Sequence, residues 1–235
     1  MRHLLATTLI FAFWPHLLAA QSLGDAQVLP ESQSRPLPYG LFVSPAVSTL
    51  GLGLETGVRL NESFGLRLGG NWFGFDAERE IGDVDYDADA TLASLGTLVD
   101  YHPFKGGIRL SGGLRFNFNQ ADLTGRPNDD VEIGDVTFSA ADVGTIDGDV
   151  SFDVLAPYLG VGYGAALLEG SLSIGFDLGV MYQGKADVDL DAEDGLLAGD
   201  AVLEANLAAE EEDVEDDLEN FQFYPVVGLA VVYRF

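Results

Sequence analysis

The chain has 235 residues, 38 acidic against 11 lysine and arginine side chains, a formal net charge of −27 and no cysteine. That balance argues against nucleic acid or anionic lipid as a direct electrostatic partner, and the missing thiols exclude disulfides and thiolate metal sites. Mean hydropathy is nonetheless positive, at +0.16, while no stretch beyond the N-terminal run reaches the ~20 apolar residues of a membrane helix.

Met1-Arg2-His3, an apolar run from Leu4 to Leu18 and the small pair Ala19-Ala20 have the layout of a secretory signal peptide over 1–20, with cleavage expected after Ala20. Residues 21–38, with Pro30, Pro36 and Pro38, read as a flexible lead-in. From Tyr39 the period becomes two, and 39–235 reads as one domain. Leu50, Leu52, Leu54, Thr56, Val58 and Leu60 alternate with Gly51, Gly53, Glu55, Gly57 and Arg59. Similar dyads follow at Phe64–Trp72, Ile108–Phe118, Leu172–Tyr182 and Phe221–Phe235, with weaker ones at 91–101 and 153–163.

Short connections near 61–63, 103–106 and 165–170 alternate with long ones at 77–87, 123–151 and 186–220. Membrane barrels join strands in this way, with short periplasmic turns and long outer loops. The pattern predicts an all-β fold, an antiparallel eight-stranded transmembrane up-and-down β-barrel with long acidic extracellular loops. Its strands are expected near 39–46, 48–60, 64–77, 88–102, 107–122, 152–164, 171–185 and 221–235, with the first hairpin turning at Pro45.

A soluble sandwich would also alternate, but its polar face would carry Lys and Glu. Here that face is mostly Gly, Ser and Asn with scattered charges. Two aromatic belts are also expected, Trp72, Phe116, Phe118, Tyr182, Phe221 and Phe223 at the outer interface and Phe64, Tyr101, Tyr163, Tyr233 and Phe235 at the periplasmic one.

The final run Val226 to Phe235, with Tyr233 two residues before a terminal Phe, resembles the C-terminal signal of bacterial outer-membrane barrels. Thr49-Leu50-Gly51-Leu52-Gly53, Asp100-Tyr101-His102-Pro103-Phe104 and Ala156-Pro157-Tyr158-Leu159-Gly160 are similar to segments of small proteobacterial barrels of the OmpA-like and OmpW-like kind. The resemblance implies a Gram-negative outer-membrane protein, insertion by the barrel assembly machinery with Tyr233 and Phe235 as its signal, and contact with outer-membrane lipid and lipopolysaccharide. It supplies no substrate. With nothing after Phe235, we expect no peptidoglycan-binding domain, a departure from the full OmpA pattern.

By parity Glu55, Arg59, Arg67, Asp100, Arg109, Arg115, Asp177 and Arg234 point inward. An eight-stranded barrel is barely wider than its side chains, so these charges must pair or hold water. Arg67, Asp100 and Arg109 are expected to form one ladder. A closed, charge-paired lumen is the main reading, and a narrow porin-like ion path is the alternative.

The outer loops concentrate acid, from Asp76 to Asp89 and from Asp187 to Glu219. Asp200 is placed to cap a helix over 201–220 with Leu203, Leu207, Val214 and Leu218 on one face. Its C-terminal half is crowded with Glu210-Glu211-Glu212-Asp213 and Glu215-Asp216-Asp217, which the helix dipole disfavours, so Ca²⁺, Mg²⁺ or a basic partner is expected to relieve it. An EF-hand from Asp187 fails, with Ala192 at its sixth position and Ala198 at its twelfth. The Gly51–Gly57 run is a strand and opens no helix, so it is not a nucleotide loop.

No cofactor is expected. An enzyme acting on lipid is the remote alternative, since after signal removal His102 is the one histidine and no serine is placed beside it by sequence. The reading favoured by the sequence is a structural or surface-interaction barrel.

Overall fold

Small and polar residues alternating with large apolar ones select a strand with two unlike faces, and pairing such strands side by side leaves every apolar face on the same side of a sheet. The computed structural model describes residues 40–81, 84–134, 136–168 and 171–235. The expected signal peptide and lead-in lie outside the described residues. In chain order the strands are β1 Gly40–Ser48, β2 Gly51–Arg59, β3 Phe64–Ile81, β4 Val84–Tyr101, β5 Ile108–Asn117, β6 Gln120–Pro127, β7 Val131–Ile133, β8 Val136–Phe138, β9 Gly144–Ser151, β10 Leu155–Leu168, β11 Leu172–Tyr182, β12 Asp187–Asp194 and β13 Phe223–Arg234. Helix α1 spans Ala140–Val143, α2 spans Ala201–Asp217, and a 3₁₀ turn covers Glu219–Gln222.

Eight strands close on themselves in the order β4, β3, β2, β1, β13, β11, β10, β5, with β5 returning to β4, all antiparallel. This is the up-and-down barrel that the alternation predicts, and closure removes its edges. The outward face is apolar: Leu52, Trp72 and Leu159 are each more than 60 % exposed. Phe64 and Tyr101 meet at 5.2 Å, as do Tyr182 and Phe223 at the other end.

The first hairpin differs from expectation. Pro45 does not turn the chain; β1 continues to Ser48 and the turn is Thr49-Leu50. Pro45 sits opposite Leu54 of β2, and the ladder from β1 to β13 lapses at Ser44 and Pro45, consistent with the missing proline N–H. Leu50, placed by parity with the outward residues, is buried, 1 % exposed. Gly51 breaks the parity with φ of +100°, and a Cβ there would lie 2.6 Å from the Trp72 carbonyl oxygen, so a positive-φ residue without a side chain is required.

The long connections are folded. The expected 77–87 loop is a hairpin in which β3 and β4 run on past the barrel to Ile81 and Val84. The single strand expected over 107–122 is broken: β5 ends at Asn117, Asn119 Oδ1 accepts the Ala93 amide at 3.1 Å, and β6 pairs with the protruding half of β4. β9 then pairs with β6 and β12 with β9. The result is a twisted sheet rising from one end of the barrel, hereafter the cap; the opposite end, where β1 begins and β13 finishes, is the terminal end.

One face of the cap sheet is covered by α2. Asp200 caps that helix as expected, accepting from Val202 N at 2.9 Å, and Leu203, Leu207, Val214 and Leu218 are buried against Tyr86, Leu123, Ile146, Val188 and Leu190. The helix ends at Asp217, short of the expected 220. Phe221 therefore lies in the 3₁₀ turn and packs on this core, so it does not belong to the outer aromatic belt.

The crowded acids of α2 also have a structural use. Glu211 Oε1 accepts the Leu190 amide at 2.8 Å and Glu215 Oε1 the Val188 amide at 3.4 Å, while Glu210 Oε2 accepts from Gly134 N at 3.2 Å. Four helical residues rise about 6 Å and two strand residues about 6.6 Å, so the two spacings match. The helix covers the free edge that β12 would otherwise present.

Candidate functional site in the barrel lumen

Inward positions of the barrel strands are small or polar, which is what allows long charged side chains to cross a narrow interior. Arg67 of β3 is at the centre. Its guanidinium reaches Glu55 of β2 at 3.1 Å, Asp100 of β4 at 3.0 Å and Asp177 of β11 at 3.3 Å, and donates to Ser111 Oγ of β5 at 3.0 Å. Ser111 in turn donates to Asp100 at 2.6 Å. Arg109 of β5 pairs with Asp177 and lies 4.0 Å from Asp100. A Cβ at Gly162 would fall 2.7 Å from Arg109 Nε and 2.8 Å from Asp177 Oδ1, so the glycine leaves room for that pair. Arg67 is 4 % exposed. Burying a charge is tolerable here because its counter-charges come from three different strands.

Of the eight inward charges expected from sequence, the structure joins five: Glu55, Arg67, Asp100, Arg109 and Asp177. The other three lie apart. Arg115 donates to Asn71 Oδ1 at 3.2 Å and Ser94 Oγ at 3.4 Å, and stacks 5.1 Å from the Tyr158 ring centre. Arg59 turns toward the terminal end, donating to the carbonyls of Asn61 and Glu62 at 3.3 and 2.8 Å. Arg234 donates to Ser173 Oγ at 2.7 Å. Parity identifies all eight as inward, but their grouping depends on the stagger between strands, which no single strand encodes.

Around Arg115 and beyond it the lumen becomes apolar. Leu50, Leu98, Ala156, Tyr158, Met181, Tyr224 and Val226 form one buried cluster. Sequence reasoning did not find it, because a lone inward Leu, Met or Tyr on a barrel strand carries no signal of what faces it. The first turn is stapled over the cluster: Tyr224 Oη donates to the Thr49 carbonyl at 2.6 Å, and Thr49 Oγ1 donates to the Pro225 carbonyl at 2.8 Å. A polar layer follows, in which Asn119 donates to Gln183 at 3.4 Å and Gln183 to the Phe221 carbonyl at 3.1 Å. The cap core lies above it.

At the terminal end a cavity of about 50 Å³ is lined by Ser44, Glu55, Arg59, Arg67, Asp100, His102, Arg109 and Arg234, among others. A second, of about 20 Å³, lies among Glu55, Arg67, Arg115, Tyr158 and Asp177. The Arg67 cluster borders both. Burial and the neighbouring Arg59 push His102 down to about 4, so its imidazole is neutral near pH 7. Tyr233 and Phe235 stand outward at the terminal end, their rings edge to face at 5.1 Å.

On the cap the exposed face of the sheet is acidic. Register places Asp76, Asp89, Asp122, Asp149 and Asp189 directly opposite one another across five strands. All five are exposed. A hydrogen bond shared with Asp149, partial burial and the charges of Asp149 and Asp89 push Asp122 up to about 6. On β4 this face is the upward continuation of the one that carries Leu95, Val99 and Tyr101. Among the described residues no group of three or more His, Cys, Asp or Glu side chains has the geometry to hold a metal ion.

No protein-family model and no curated protein matches the chain. Solved structures do. CarO2 of Acinetobacter baumannii superposes with a TM-score of 0.55 at 22 % identity, over 86 % of this chain and 100 % of that one. CarO of the same organism gives 0.54 at 22 % identity, over 85 % and 98 %. A major outer membrane protein from Thermus thermophilus gives 0.41 at 18 % identity, over 84 % and 99 %. The chain thus has the closed, antiparallel eight-stranded fold of outer-membrane barrel proteins such as CarO.

Proposed function

We propose that the chain is an outer-membrane barrel with a closed lumen, whose working surface is the folded cap. The observation that carries this reading is Arg67 bonded to carboxylates from three strands across the barrel interior, with an apolar cluster beyond it. The outer face supports the membrane placement. Each fully exposed Leu, Val or Phe costs about 1.5–3 kcal/mol in water relative to burial, and the outward residues of all eight strands are of this type. On this reading residues 1–20 are a cleaved signal peptide, Tyr233 and Phe235 serve recognition by the barrel assembly machinery, and the cap faces outward. A non-catalytic role is part of this reading.

The partners this reading assigns are lipopolysaccharide and divalent cations. The aspartate row begins four residues beyond the interfacial Trp72 on β3, on the same outward parity, which sets it beside the lipid headgroups. Rows of carboxylates attract Ca²⁺ and Mg²⁺ as a screened ion atmosphere, and such ions bridge carboxylate to lipid phosphate. A narrow channel is the competing reading.

Conductance of the refolded mature chain, Gln21 to Phe235, in planar bilayers with and without millimolar Ca²⁺ separates the two. Silence in both conditions is the expected result. Unitary steps that disappear when Arg67 or Asp100 is neutralised would replace the closed barrel with a pore.

A further inference from the structure

We propose that the cavity at the terminal end of the lumen is a binding site for a small tetrahedral oxyanion of the phosphate class. It is bounded by the last residues of β2 and β13, the start of β5 and the turn after β4, with Ser44 of β1 in its wall. Four guanidinium groups, of Arg59, Arg67, Arg109 and Arg234, line it against two carboxylates, Glu55 and Asp100. Both carboxylates are bonded to Arg67. Asp177, bonded to Arg67 and Arg109, lies beyond the wall. Arginine is concentrated here, four of the chain's eleven lysine and arginine side chains lining one cavity in a chain of net charge −27.

The second observation is independent of charge. Ser44 Oγ, Arg67 Nε, His102 Nδ1 and Arg109 Nε are buried atoms with no hydrogen-bond partner, and all four residues line this one cavity. Ser44, Arg67 and His102 are each more than nine-tenths buried. Buried polar groups are nearly always paired, and three of these, the Ser44 hydroxyl and the Nε–H groups of Arg67 and Arg109, are donors left for a ligand with several acceptors, while the neutral His102 ring can only accept at Nδ1. Arg234 enters no ion pair among the described residues, donating instead to Ser173 Oγ. A tetrahedral oxyanion offers acceptors in the several directions from which guanidinium and hydroxyl donors converge. The reading stands apart from the closed-lumen proposal, since the cavity lies on the terminal side of the Arg67 cluster.

The test is calorimetric titration of the refolded mature chain, in octyl glucoside and an oxyanion-free buffer, with inorganic phosphate and separately with glycerol 3-phosphate. Saturable binding with one site per chain is expected for phosphate. Arg234→Gln should weaken it at least tenfold and Ser44→Ala several-fold, with each variant still showing the heat-dependent gel mobility of a folded barrel. Binding of glycerol 3-phosphate as well would identify a lipid headgroup as the source of the anion, and binding of phosphate alone a free ion; either supports the site. Should Arg234→Gln fail to refold, Arg234→Lys and Ser44→Ala carry the test. Absence of a saturable component, or affinity unchanged in folded variants, would overturn the proposal.

Discussion

Glu211 on α2 and Leu190 on β12 are joined by a hydrogen bond of 2.8 Å in which the carboxylate accepts the strand amide. The bond ties a helix rich in acid to the outermost strand of an acidic sheet, and so turns residues that repel one another into an edge cover. Glu211→Ala should expose the Leu190 amide, raising its hydrogen exchange at least tenfold while the barrel strands stay protected. Glu211→Gln keeps an acceptor oxygen and should retain most of the protection. Equal exchange in all three proteins would show that α2 covers the edge by packing alone.

The cap has a core of its own, separate from the apolar cluster in the lumen. Truncating Leu207, which is 3 % exposed, should cost about 2–5 kcal/mol and fall on the cap. Limited proteolysis of Leu207→Ala is expected to cut within 186–220 while the heat-dependent mobility of the barrel persists. Simultaneous loss of both would mean that cap and barrel unfold as one unit.

Removing Arg67 leaves Glu55, Asp100 and Asp177 facing one another without their shared cation. Breaking a buried ion pair from one side costs about 3–5 kcal/mol. We expect Arg67→Met to lower urea resistance by that order, and Arg67→Met combined with Glu55→Gln, Asp100→Asn and Asp177→Asn to recover most of it. A single variant as stable as the wild type would show that water replaces the guanidinium at no cost.

Asp122 links the cap to pH. Its folded value, about 6, lies above the ordinary aspartate value near 3.9, so between these limits the folded cap holds more protons than the unfolded chain. The stability it contributes is present below about pH 4 and lost as the pH rises through about 6. Asp122→Asn removes the repulsion from Asp149 and Asp89 opposite it, and should make the cap more protease-resistant at pH 7 and flatten its pH dependence between 4 and 6. A steeper dependence in the variant would reverse the sign argued here.

Much of this architecture was legible in the sequence because strand geometry is local: a side-chain period of two fixes which residues of β2, β5, β11 and β13 face the lumen, without reference to any other strand. Asp200 as a helix cap and Leu203, Leu207, Val214 and Leu218 as its buried face were legible for the same reason, one turn of helix being set by neighbours in sequence. Leu50 was misplaced because Gly51, with its positive φ, interrupts the period at the point where the turn docks on Tyr224 and Pro225. The tertiary structure decided the rest. Which arginine meets which carboxylate follows from the stagger of β2, β3, β4, β5 and β11, and the long connections became a sheet because β4, β6, β9 and β12 pair across tens of residues. Only strand pairing in three dimensions brings Asp76, Asp89, Asp122, Asp149 and Asp189 into one row, and only closure of the barrel brings Ser44, His102 and Arg234 around one cavity, since pairing between distant segments depends on register that no local pattern records.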